Sequence, residues 1–95
     1  MYYEILVNGT SLGVFGHDNV RNMHLSVQVL PEGQDVFASA VCEEDGSLFH
    51  YSWLQHSIGS QDKVEIRRAE GGPSKAPQRK YRMKSAASDS GSSAA

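Results

Sequence analysis

Cysteine is almost absent from this chain. The single Cys42 in 95 residues excludes an internal disulfide, and with no staple to form, a reducing, cytoplasmic setting is the expectation. Long apolar runs are missing as well: none approaches the ~20 residues of a membrane span. Met1-Tyr-Tyr-Glu lacks the basic start of a secretory signal. Cations are sparse over Met1–Ala69, with four basic residues against nine acidic ones, whereas the stretch from Glu70 carries five against two. The formal net charge of −2 therefore hides an acidic body and a basic tail. That is not the balance of a dedicated nucleic-acid-binding domain.

What the chain does have is β patterning. Tyr2–Val7 is rich in β-formers, Asn8-Gly9 is a two-residue turn signal, and Thr10–Phe15 returns as a second strand. Gly13 within it points to a bulge or a close backbone approach. Gly16–Asn22 is a polar connection in which Asp18 and Asn19 suit Asx-turns or one helical turn. Met23–Leu30 then alternates apolar and polar, the period of a half-buried strand. Pro31–Gln34 supplies turn chemistry, Asp35–Cys42 is apolar with small residues at its centre, and Asp45-Gly46 signals a tight hairpin into Leu48–Leu54. Tyr51, Leu54 and Ile58 also fit helical spacing, but aromatic enrichment after a hairpin turn favours strand. Ser57–Asp62 reads as a loop and Lys63–Arg68 as a sixth strand, with Val64 and Ile66 inward.

These turns give an expected register. A four-residue loop pairs Leu30 with Asp35, and the Asp45-Gly46 turn pairs Glu44 with Ser47. One face then carries the rows Met23/Cys42/Phe49, Leu25/Ala40/Tyr51 and Val27/Ala38/Trp53, each large, small, large, as a packed core requires. The other face carries His24/Val41/His50, Ser26/Ser39/Ser52 and Gln28/Phe37/Leu54. The fold class expected is all-β: about six short antiparallel strands in a meander, closing into a small barrel or a two-layer sandwich.

The expected domain spans 1–69, and 70–95 is expected to be a disordered tail, basic and then Ser/Ala-rich, with too little apolar surface to offset chain entropy. On that reading, truncation after Glu70 leaves the thermal midpoint within a few degrees. A body this small buries only about 60% of its unfolded surface, which makes dimerisation plausible.

Leu6-Val7-Asn8-Gly9, Phe37–Cys42, Ser52-Trp53-Leu54, Ile58-Gly59, Asp62 and Val64–Ile66 together resemble small bacterial all-β proteins of unassigned function. Those commonly pair an N-terminal Asn-Gly hairpin with a closing strand of the type G-D-x-V-x-I. The resemblance covers Tyr2–Arg68 and departs at Ser60-Gln61, inserted in the closing turn. It implies a β fold and brings no active residue with it.

Candidate chemistry is thin. His17-Asp18 could form an acid/base dyad, but neighbours in a Gly-flanked loop usually point apart, and the plainer reading is a polar turn. His24 and His50, two strands apart at ~9.6 Å, fall short of the three or four ligands of a zinc site, and Cys42 points to the other face. Tyr51 and Trp53 could stack bases or sugars, yet their small partners argue for core. Lys75, Arg79, Lys80, Arg82 and Lys84, with Tyr81 among them, resemble a short nucleic-acid or membrane-surface arm; a solvated tail is the plainer reading. Glu43-Glu44-Asp45 reads as a solvated turn.

The expected function is that of a non-enzymatic module with no cofactor and no metal. It binds another protein, or a second copy of itself, through a sheet face or edge. Phe37 and Leu54 are the expected anchors, with Val41 beside them and His24 and His50 at the rim. A nucleic-acid accessory protein working through the basic tail is the alternative, and a small hydrolase the third reading.

Overall fold

The computed structural model describes residues 1–83. Over that span the chain forms seven strands: β1 (Tyr2–Val7), β2 (Thr10–Gly16), β3 (Val20–Leu30), β4 (Gly33–Glu44), β5 (Ser47–Ile58), β6 (Val64–Ala69) and β7 (Arg79–Arg82). All pair antiparallel, in a three-stranded sheet of order β2-β1-β6 and a four-stranded sheet of order β3-β4-β5-β7. The all-β reading holds. Neither sheet closes on itself among the described residues, so the arrangement is two-layered. β6 does not extend the meander; it returns to pair with β1 from Val7↔Val64 to Tyr2↔Ala69.

Asn8 and Gly9 have φ of 52° and 82°, and Asp45 and Gly46 have 52° and 77°, as tight hairpins demand. Gly13 lies at the irregularity expected there, where the β1–β2 pairing steps from Ile5↔Gly13 to Leu6↔Ser11. The Asn8 side chain also ties the hairpin to the segment before β6. Its Nδ2 donates to Asp62 Oδ1 at 2.8 Å, and its Oδ1 accepts from the Lys63 amide at 2.9 Å. The connection after β2 is shorter than expected: β3 begins at Val20, and there is no helical turn.

Two registers differ from expectation. The β3–β4 turn uses only Pro31-Glu32, so Leu30 faces Gly33 and not Asp35. Gly33 is buried in the strand, and a Cβ there would lie 2.7 Å from the Ile58 carbonyl oxygen. Its bare Cα serves close strand approach and not turn geometry. The resulting shift is two residues. Strand side chains alternate with period two, so the faces are kept and only the neighbours change. In the β4–β5 pair the expected register holds from Glu44↔Ser47 to Ser39↔Ser52, then steps to Ala38↔Leu54 with Trp53 as the extra residue. Leu54, expected on the outer face beside Phe37, instead packs partly buried against the core, and Phe37 pairs with Gln55.

The core survives both changes. Its rows become Met23/Ala40/Tyr51, Leu25/Ala38/Leu54 and Val20/Cys42/Phe49, still with the smallest side chain on the central strand. Ile5 and Phe15 from the smaller sheet join Val36, Ala38, Ala40, Cys42, Tyr51 and Trp53 from the larger one. Phe15 and Trp53 meet at 6.4 Å between ring centroids, tilted by 57°.

Disorder from residue 70 is overturned for Ser74–Met83. The Lys75 amide donates to the Val14 carbonyl at 2.8 Å, and Ser74 Oγ accepts from the Gly16 amide at 3.0 Å, both on β2. The Gln78 amide then donates to Ser52 O at 2.7 Å, and β7 pairs with β5 from Ser52↔Arg79 to Phe49↔Arg82. The segment bridges an edge of each sheet. Backbone amides do this, which is why composition gave no sign of it. Lys84 and the Ser/Ala-rich end lie outside the described residues.

Two predictions follow from this packing. Ala38 is fully buried between Leu25 and Leu54, so Ala38→Leu overpacks the interior and lowers the unfolding free energy by ~1–3 kcal/mol, read by urea titration. Truncation after Glu70 now removes a strand, and the thermal midpoint should fall by more than about 5 °C in a calorimetric scan; an unchanged midpoint would mean that β7 adds no stability.

Candidate functional site

Two groups of side chains stand out: an ionic cluster at one end of the sandwich and the outer face of the larger sheet. The cluster centres on Glu44, at the end of β4. Its Oε1 lies 2.8 Å from Lys80 Nζ on β7, and its Oε2 lies 3.1 Å from His17 Nε2 and also accepts from the Tyr51 hydroxyl. Lys80 Nζ sits 5.0 Å from the Phe49 ring centroid and 5.1 Å from that of Tyr51, so the cation is held by two aromatic rings as well as a carboxylate. The Lys80 bond, and after it those from Tyr51 and His17, pull the Glu44 carboxyl down to about 2. Burial, with Glu44 as acceptor, pushes the Tyr51 hydroxyl up, and Glu44 raises Lys80.

His17 Nδ1 accepts from the Asn19 amide at 2.9 Å, so the ring proton sits on Nε2 and points to Glu44. Asp18 turns the other way and accepts from the Tyr2 hydroxyl at 2.7 Å. The His17–Asp18 dyad does not form. The residues of the cluster bind one another across the β2–β3 connection, β4, β5 and β7, which makes it a clamp. A carboxylate held near 2 with both oxygens occupied is a poor proton acceptor at neutral pH.

The outer face is built by alternation on four strands. Its first row is Asn22, Val41, His50 and Tyr81; its second is His24, Ser39, Ser52 and Arg79; Ser26, Phe37 and Gln55 follow. The expected row His24/Val41/His50 is therefore split, because the two-residue shift moves His24 opposite Ser39. A shallow cleft of about 350 Å³ nonetheless brings together Arg21, His24, Ser39, Val41 and His50. Arg21 is paired with Glu43 at its edge. His50 stacks on Tyr81, centroids 5.0 Å apart and planes 20° apart, and its Nδ1 is shielded from solvent with no partner among the described residues. Tyr51 and Trp53 are buried in the core, 7% and 2% exposed, so neither offers a stacking platform. No group of three or more His, Cys, Asp or Glu side chains is placed to hold a metal among the described residues.

Arg79 and Tyr81 are the face residues that sequence reasoning missed. The only signal was Tyr81 itself, the lone aromatic after Trp53. Comparison with known proteins gave no match: no family model, no curated protein and no solved structure is similar to this chain.

The clamp predicts an acid-side dependence. Glu44 sits below its ordinary 4.5 when folded, so its contribution is complete above that pH and is lost as pH falls toward about 2. Glu44→Gln should lower the thermal midpoint by a few degrees at pH 7, with the gap to wild type closing as pH falls through that window. Glu4, bonded by Ser11 and Arg67, and Asp62, bonded by Asn8 and the Gly59 amide, are lowered too, so the difference between the two proteins is the quantity to follow.

Proposed function

We propose that the chain is a non-enzymatic interaction module that binds another protein through the outer face of its larger sheet. The observation carrying this reading is the row Asn22–Val41–His50–Tyr81, with its aromatic stack beside the His24/Val41/His50 cleft. The face offers Tyr81 (56% exposed), Phe37, His24, His50 and Arg79 among serines and amides. Enrichment in aromatics and Arg with few Lys or Glu is the composition of a protein-binding patch. Leu54 leaves the expected anchor set because it faces the core, and Tyr81 takes its place. The lone Cys42, fully buried, suits a cytoplasmic setting.

Catalysis is less well supported, since His17 and Glu44 are committed to each other and to Asn19, Tyr51 and Lys80. The nucleic-acid reading also loses ground. Among the tail cations Lys80 is paired with Glu44, and the Lys75 side chain lies over Gly13. Of the described tail cations, Lys75, Arg79 and Arg82 are exposed and in no ion pair with a described residue, and three such charges give little phosphate affinity.

The test is affinity capture from source-cell lysate with the full chain, followed by titration of the captured protein. Tyr81→Ala should weaken binding by about tenfold or more, the loss of an aromatic anchor, and Val41→Glu should abolish it, both with folded spectra. Equal binding by both variants sinks the proposal. Capture that collapses with modest added salt would favour nucleic acid instead.

A further inference from the structure

We infer that the free edge of β3 pairs with β3 of a second copy of this chain, joining two four-stranded sheets into one of eight. This surface is distinct from the outer face, so the two proposals stand or fall separately.

A free strand edge presents unpaired amides and carbonyls, and proteins normally guard it with charge, proline, irregularity or brevity. Three of the four terminal strands here are guarded. β2 carries the Gly13 irregularity and is covered by Ser74 and Lys75. β6 is six residues long and carries Glu65, Arg67 and Arg68. β7 is four residues long, three of them basic. β3 differs from all of them. It is eleven residues long, and from Asn22 to Leu30 it has no Lys, Arg, Asp, Glu or Pro. Its register irregularity is confined to its start, between Val20 and Asn22.

Apolar surface collects along the same side. A groove of about 420 Å³ runs beside β3, lined by Met1, Tyr3, Met23, Leu25 and Ile66. Met1 and Ile66 are 57% and 37% exposed, and Val29 near the end of β3 is 75% exposed. The C-terminal segment closes the opposite side of the sandwich, over β2 and β5, and leaves this side open.

The occupant follows from symmetry and charge. Antiparallel pairing of β3 with itself places a two-fold axis perpendicular to the sheet, so both inner faces lie on one side. Met23, Leu25 and Val27 of the two copies then form one apolar surface, and the two grooves open onto a common junction. No like charges meet along Asn22–Leu30, because that stretch carries none. Nine paired residues give a seam of about 30 Å. With a sheet about 10 Å thick, the strand contact is on the order of 300 Å² per copy, below the ~800 Å² per partner of a permanent interface and in keeping with a weak, reversible dimer.

The experiment uses the full chain. Sedimentation equilibrium should show a reversible monomer–dimer equilibrium. Ser26→Cys, at an exposed β3 position, carries a spin label; Cys42, fully buried, should resist labelling. Because paired strands lie ~5 Å apart, the label-to-label distance in the dimer should be under about 20 Å. A label at Arg82→Cys on β7, the far edge of the same sheet, should give a much longer distance. Leu25→Lys, which would bury an uncompensated charge at the junction, should raise the dimer dissociation constant by about tenfold or more. Should Leu25→Lys fail to fold, the label distances decide alone. A chain that stays monomeric at millimolar concentration overturns the inference, as does a dimer with a long distance at Ser26. So does a monomer whose β3 amides are protected from exchange only by a different captured protein, which would assign the edge to a foreign strand.

Discussion

Phe15 and Trp53 meet between the two sheets, and much of the rest follows from keeping water out of that contact. Two sheets of three and four strands can bury few residues completely, so each buried side chain counts. Trp53 fits because the strand beside it carries Ala38 and Ala40, which leave volume for a large ring. It is also the extra residue of the β4–β5 irregularity. The bulge keeps both Trp53 and Leu54 against the interior, at the cost of strict alternation. A regular strand would have sent Leu54 outward and left the end of the core thin.

A core this small also has to be sealed at its sides. On the β2/β5 side the C-terminal segment provides the seal. It accepts from and donates to β2, crosses, and adds β7 to β5. Lys80 anchors it on Glu44 and over two aromatic rings. The acidic hairpin end and the basic tail, which look like separate solvated features in sequence, are thus two halves of one contact. Exposure is limited at Glu44, so its ion pair with Lys80 is less screened than an open surface pair. The opposite side, between β3 and β6, has no such seal among the described residues, and the exposed apolar side chains gather there.

The proposed functions follow from which surfaces the fold leaves unused. The interior consumes one face of each sheet, the clamp occupies His17 and Glu44, and the C-terminal segment covers one edge of each sheet. Among the surfaces that remain are the outer face of the larger sheet and the edge of β3. The first is wide and aromatic and carries Arg79, which suits side-chain recognition. The second is a row of backbone donors and acceptors, which suits strand pairing.

The sequence by itself determined six of the seven strands, the Asn8-Gly9 and Asp45-Gly46 hairpins, the inner and outer faces of β3 and β4, and the placing of small inward side chains on β4 between larger ones, though not which residues share a row. All of these are local: alternation and turn chemistry act within a few residues, and a two-residue register error leaves them intact. Val41 and His50 were legible as outer-face neighbours for the same reason, since a tight turn fixes their pairing. Tertiary structure alone decided the rest. The Leu30–Gly33 register depends on Ile58 crossing close to Gly33. The turn of Leu54 to the core depends on room for Trp53. The pairing of His17 with Glu44, 27 residues on, and the recruitment of Arg79–Arg82 as a strand depend on groups brought together from across the chain. Backbone amides that bridge two sheets leave no periodicity to read, because every residue but proline carries one.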